Sequence, residues 1–323
     1  MLPRAVMSPQ TAEDGGARPP LVVLRALGLG DLLVAVPALH ALRRAFPHHH
    51  LLYASPEWLA DAVELVGGYG LLPVRGLDEP LPLPRGSVDI AVNLHGKGPQ
   101  STALLQEVRP RLVVAHHGRG VDGPGWVEDL NERARWTRLL QWHGIAADPH
   151  DVSLDVPPIA ARVAGATVIH VGAAFASRLW PADRFAKVAR RLSDNGHRVV
   201  FTGSSQERRR ALEICDQAGL AGSAVLAGSL QLREFAACVA AARLVISADT
   251  GAAHLASAYG RPSIVLFGPV GPGRWGPPPG PHVVLTRDDL RRGDPFADSP
   301  DPALLGVTVE DVLLAAAGLP PEP

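Results

Sequence analysis

Three short stretches of this chain gather residue types that can hold an anion or move a proton. The first is Ser247-Ala-Asp-Thr-Gly-Ala-Ala-His254, where an apolar strand-like run turns through Asp249, Thr250 and Gly251 into a helical pattern carrying His254. Backbone N–H groups at a helix start, with the positive end of the helix dipole behind them, suit a phosphate. The second is Gly172-Ala-Ala-Phe-Ala-Ser-Arg-Leu-Trp-Pro181, a small-residue loop after another strand that ends in Arg178. Its guanidinium stays charged and can grip a diphosphate through two parallel N–H groups. The third is Gly28-Leu-Gly-Asp31, between the first strand and the first helix. Asp31 there is either a cap for the helix or a carboxylate at the mouth of a cleft, acting as general base. Simpler readings exist for the others too: Asp249 or Thr250 as a cap, His254 as a core histidine, Arg178 as a solvated loop charge, Trp180 as a packing anchor.

The elements that must position these stretches alternate in type. Strand-like runs at 21–24, 51–54, 71–74, 88–93 and 111–115 are separated by helical patterns from Leu32 onward, at 56–66 and at 99–107. Pro37 lies inside the first helical pattern, where it removes a backbone donor and predicts a kink. A helix over 131–143 puts Trp136, Leu139, Leu140 and His143 on one face, predicted to pack on the first sheet. The polar, proline-rich run 148–158 predicts a linker. Beyond it the alternation restarts: strands at 166–171, 198–202, 223–226, 244–246 and 264–267, helices at 182–193, 205–217 and 231–241 and after Gly251. The spacing therefore predicts a disordered tail over 1–18, one parallel α/β domain over 19–155 and a second over 156–323. Residues 268–281 and 286–306 read as long surface loops. A last helix starts at Val309 and is free to pack back on the N-terminal domain.

Composition sets outer bounds. Basic and acidic side chains nearly balance, 31 against 32, so no global field draws nucleic acid or an anionic membrane. Cys215 and Cys238 have neither a disulfide framework nor a zinc spacing, which favours a reducing, cytoplasmic setting. No apolar run reaches the roughly 20 residues of a membrane span, although peripheral contact with a membrane surface needs only one modest face. His48–His50 look like a metal cluster but lack a partner spacing and read as solvated loop residues. Gly28-Leu-Gly-Asp31 lacks the third glycine of a dinucleotide fingerprint, which disfavours nicotinamide binding. Arg208-Arg-Arg210 reads as a solvated helix face. His95 and Lys97, just after the strand ending at Asn93, are either acceptor contacts or ordinary loop residues.

Asp249-Thr-Gly-Ala-Ala-His-Leu-Ala256 with Pro262 and Phe267-Gly-Pro269, the Gly172 loop ending in Arg178-Leu-Trp-Pro181, and Gly30-Asp31 followed by Val36-Pro-Ala-Leu39 resemble the heptosyltransferase family, glycosyltransferase family 9. The resemblance spans most of residues 20–317. It implies a GT-B fold: two Rossmann-like domains with parallel sheets facing across a cleft, the N-terminal one binding the acceptor and the C-terminal one an ADP-sugar. It also implies transfer with inversion, without metal and with no cofactor beyond the ADP-sugar co-substrate. By position, Asp31 looks like the family's base, Thr250, Gly251 and His254 match its phosphate-binding turn, and Asp249 matches its donor-sugar contact. Gly30, His95 and Lys97 would lie on the acceptor side. Arg178 stands where many members carry lysine, which keeps the charge and changes its geometry. Expected partners are an ADP-sugar and a glycan, lipid-linked or small-molecule acceptor. The readings left open beside transfer are a nucleotide-sugar epimerase or hydrolase on the same fold, and a catalytically silent sugar-nucleotide binder.

Overall fold

The computed structural model describes residues 18–319. All but the last residue of the tail expected over 1–18 lies outside the described residues. Contacts divide the chain into two compact units, one ending at Asp155 and one beginning at Val156.

The N-terminal unit runs β1 (Pro20–Leu24), α1 (Leu29–Ala45), β2 (His50–Ser55), α2 (Ala60–Val66) and β3 (Gly70–Pro73). It continues through β4 (Ile90–Asn93), α3 (Gln100–Glu107), β5 (Leu112–Val114) and α4 (Glu132–Trp142). All strand pairs are parallel, in the order β3-β2-β1-β4-β5. A parallel sheet is covered on both faces, so its central strands lose their alternation. Leu21 to Leu24 and Ile90 to Asn93 are accordingly buried without a break. Val22, Leu24, Ala54, Ala91, Leu104 and Leu105 pack as one core on one side of this sheet. Helix α1 is assigned unbroken through Pro37, which is buried. Helix α4, capped by the Asn131 side chain, packs on α1 rather than on the sheet itself.

The C-terminal unit begins with β6 (Thr167–His170), α5 (Ala182–Asp194), β7 (Val199–Thr202), α6 (Arg208–Gln217) and α7 (Leu232–Ala240). β8 (Leu244–Ala248), α8 (Gly251–Ala258), β9 (Ser263–Leu266), α9 (Pro272–Trp275) and β10 (His282–Leu285) follow, then α10 (Pro302–Leu305) and α11 (Val309–Gly318). This sheet is also parallel, ordered β10-β9-β8-β6-β7. The strand predicted at 223–226 shrinks to a single bridge between Val225 and Phe201. Strand β10 escaped the sequence reading because it is a four-residue edge strand, half-buried throughout, between a proline and a polar turn.

Two further expectations change. The stretch 286–306 is anchored, because buried Asp301 accepts N–H groups from Arg292 and Gly293, each at 3.2 Å, and from Ala303 at 2.9 Å, and so starts α10. Leu304 and Val307 thereby join the core of this unit. Helix α11 buries its apolar face within its own unit, against α5 and the β9–β10 edge.

Candidate functional site

In each sheet the chain reverses direction once. β1 lies between β2 and β4, β6 between β7 and β8, and the loops leaving the two central strands diverge there. Such switch points, at the carboxyl ends of the strands, are where open α/β sheets bind ligands. All nine residues singled out from the sequence follow one of these four strand ends.

At the N-terminal switch point the β1–α1 loop carries Arg25, Gly30 and Asp31, and the β4–α3 loop carries His95 and Lys97. Gly28, not Asp31, occupies the cap position of α1. Asp31 sits three residues on and reaches back, its Oδ2 accepting the Gly28 N–H at 3.2 Å, one arm of a capping box that glycine cannot reciprocate. Its Oδ1 is 3.0 Å from Arg25 Nη2, and the side chain remains 29% exposed. Each carboxylate oxygen thus holds one donor and keeps lone-pair capacity for another. Capping and proton transfer are compatible here. His95 Nδ1 accepts the Ala26 N–H at 3.2 Å, which leaves Nε2 as the protonated nitrogen of the neutral ring. Burial, then the Arg25 charge, pull the His95 pKa down. Lys97 is exposed on the same loop, and Gly30 is partly buried in the first turn of α1.

Asp31 is held by Arg25 and the charges behind it, none of which the local spacing singles out. Arg25 is 2% exposed, donates to the carbonyls of Asp31 (2.6 Å) and Leu94, and lies over the Trp136 ring at 4.8 Å. Glu132, at the start of α4, has one oxygen 3.8 Å from Arg25 Nη2 and the other 2.8 Å from Arg135 Nε. Four charges therefore alternate in sign from Asp31 inward. The available signal was a charged residue directly after a fully apolar strand, which a buried strand end does not tolerate without partners.

At the C-terminal switch point Arg178 ends a short 3-10 turn, Ala176–Arg178, after β6. Arg178 Nη1 lies 3.8 Å from Asp249 Oδ2, and His254 Nε2 lies 3.7 Å from Asp249 Oδ1. The β6 and β8 loops are thus brought together, with Asp249 and His254 both buried. Thr250 holds the cap position of α8, yet its side chain does not cap: Oγ1 is buried with no hydrogen-bond partner. Arg178 Nε is in the same condition. These two unpaired donors lie beside the first turn of α8, where the N–H groups of Gly251 and Ala252 have no intrahelical partner, an arrangement able to take an anion with several acceptor oxygens. Trp180 is fully buried and donates to the Val307 carbonyl at 3.1 Å, an anchor and not a ligand contact.

The loop carrying Arg178 is fastened along its length. Ser177 donates from its backbone to Ala297 O at 3.1 Å and from Oγ to Pro295 O at 2.6 Å. Arg210 corrects the solvated-face reading: it is half-buried and donates to Val171 O at 3.0 Å and to Trp180 O, the two ends of the loop. Arg208 similarly reaches Ala227 O at 2.7 Å, whereas Arg209 stays exposed beside Glu213. Gly172 is required where it stands, since a Cβ would fall 1.8 Å from a Glu207 carboxylate oxygen. Of the His48–His50 run, His49 pairs with Asp89 at 2.8 Å. Among the described residues no three His, Cys, Asp or Glu side chains converge as a metal site, and no helix is long and apolar enough to cross a membrane.

The family model for glycosyltransferase family 9 (heptosyltransferase) matches residues 145–291. Lipopolysaccharide heptosyltransferase 2 of Salmonella typhimurium is 30% identical over 347 aligned positions, covering 91% of this chain and 96% of that one. Among solved structures, the ADP-heptose lipopolysaccharide heptosyltransferase II of Escherichia coli superposes with a TM-score of 0.74 at 19% identity, over 92% of this chain and 97% of the other. An Escherichia coli heptosyltransferase solved with ADP gives 0.69 at 18% identity, over 92% and 99%. Full-length similarity to the Salmonella protein, together with two parallel Rossmann-like sheets of GT-B type, makes this chain a member of glycosyltransferase family 9, the heptosyltransferase family, and a glycosyltransferase.

Proposed function

We propose that the protein transfers heptose from ADP-heptose to a hydroxyl of a glycan, with inversion at the anomeric carbon and without a metal ion, on the cytoplasmic side of the membrane. The observation that carries the donor half is the pair of buried, unpartnered donors, Thr250 Oγ1 and Arg178 Nε, beside the start of α8. A nucleoside diphosphate supplies the acceptor oxygens they lack. Arg178, Thr250, Gly251 and His254 take the diphosphate and Asp249 faces the sugar. ADP-heptose is the choice within that class because a neighbour of the same fold is named for ADP-heptose and another was solved with ADP. Lipopolysaccharide core is the first acceptor to try, since the Salmonella relative is named for it.

Chemically, the acceptor oxygen attacks C1 of the donor sugar as the bond from C1 to the diphosphate oxygen breaks, through a transition state with oxocarbenium character. Asp31 takes the hydroxyl proton. ADP departs with the negative charge, which Arg178 and the α8 N–H groups stabilise more strongly as it develops. His95, as a neutral Nε2–H donor, and Lys97 orient the acceptor beside Gly30. The test is transfer from ADP-heptose to lipopolysaccharide core oligosaccharide, with the product anomer read by NMR and a chelator present. An inverted heptoside formed at undiminished rate is the expected result. A retained anomer or loss of activity to the chelator contradicts the mechanism, and ADP release without any glycoside turns the reading toward a hydrolase.

A further inference from the structure

We infer that Arg25 is a positioning residue for the reaction, holding the Asp31 carboxylate in place, and that Glu132 and Arg135 on α4 set how strongly Arg25 acts on it. The inference rests on the proposal that Asp31 is the base. Arg25 joins four segments of the N-terminal domain: it leaves β1, bonds the side chain and carbonyl of Asp31 at the start of α1, takes the Leu94 carbonyl after β4, and faces Glu132 at the start of α4. Trp136 covers its guanidinium face, so the group is planar, fixed and almost dry. Lysine offers one point charge in its place and cannot reproduce this fork. Arg135 is held as firmly, by the carbonyls of Val127, Glu128 (2.9 Å) and Leu130 (3.2 Å) and over the Trp126 ring at 3.9 Å.

The alternation of sign has a consequence for the base. A guanidinium against Asp31 pulls its carboxylate towards Arg25 and fixes its direction. Glu132 holds Arg25 from the far side, and Arg135 in turn neutralises Glu132. The remaining groups that face Asp31 are His95 from the β4–α3 loop, which takes up no charge readily because burial lowers its pKa, and the buried Tyr53 hydroxyl of β2, whose pKa burial raises. Neither competes with Arg25 for the carboxylate near neutral pH.

The experiment compares Arg25→Gln, Arg25→Lys, Glu132→Gln and Asp31→Asn, singly and with Arg25→Gln combined with Asp31→Asn, in transfer from ADP-heptose to lipopolysaccharide core oligosaccharide. Losing a charge-assisted contact corresponds to about a 10-fold to 150-fold fall in kcat for Arg25→Gln, with the KM for ADP-heptose unchanged. Arg25→Lys recovers part of it. Glu132→Gln, which leaves Arg25 without its second carboxylate, likewise lowers kcat with the KM for ADP-heptose unchanged, a split that general loosening of the domain does not produce. In the Asp31→Asn background, Arg25→Gln costs little more. Independent, multiplying losses in the double variant overturn the inference, as does a crystal structure of Arg25→Gln with the Asp31 carboxylate unmoved. Full turnover by Asp31→Asn sinks the base assignment itself, a separate outcome.

Discussion

At the scale of single residues, Asp31 shows how a structural duty and a chemical one share a side chain. One oxygen caps a backbone N–H and the other meets Arg25, and the group is still open to solvent. Asp31→Asn keeps the shape of the side chain and one of the two contacts, since only its amide oxygen accepts, and removes the proton acceptor. It is expected to leave ADP affinity unchanged and to slow transfer by roughly 100-fold to 10,000-fold, the usual range for loss of a general base; single-turnover rates with saturating ADP-heptose check this. Asp31, Asp249, Thr250 and His254 were legible in the sequence because each follows a strand and opens a helix. Arg25, Glu132 and Arg135 were not. The contact that links them, Glu132 to Arg25, joins residues about a hundred positions apart, and no local spacing encodes it.

At the scale of elements, the start of α8 decides between a cap and a ligand site. A capping threonine loses about 0.5–2 kcal/mol of stability when its hydroxyl is removed. Thr250 Oγ1 makes no such bond, so Thr250→Val is expected to leave urea unfolding within about 0.5 kcal/mol of wild type while weakening ADP binding. A fall in stability of the capping size with unchanged ADP affinity would return Thr250 to a structural role. The alternating strands and helices were readable because fully buried parallel strands are continuous apolar runs, as Leu21 to Leu24 are. What escaped was built from polar contacts. Asp301, by gathering three N–H groups, converts an aperiodic segment into an anchored one, and that segment steadies the turn bearing Arg178.

At the scale of the whole molecule, each domain carries one switch point where the residues singled out from the sequence gather, and stability outside those points has its own pH signature. His116, after β5, is 2% exposed, packs edge-on to Trp126 and Trp136, and has no hydrogen-bond partner at either ring nitrogen. Burial, reinforced by Arg135 and Arg138, lowers its pKa to about 4, against about 6.5 in an unfolded chain. Below pH 6.5 the unfolded state therefore takes up a proton that the folded state refuses, so folded stability drops as pH falls from about 6.5 towards 4. His116→Phe is expected to remove that drop, gaining on wild type progressively through this window in pH-dependent thermal unfolding; parallel curves would show that the ring does not titrate on unfolding. The domain division and both sheets follow from patterning along the chain, whereas the catalytic claim depends on what the C-terminal switch point binds. The most direct measurement is a calorimetric titration of wild type and Arg178→Ala with ADP and, in parallel, UDP. The account predicts that wild type prefers ADP and that the variant binds it about 10-fold to 150-fold more weakly; equal ADP affinity in the two proteins, or a wild-type preference for UDP, would contradict it.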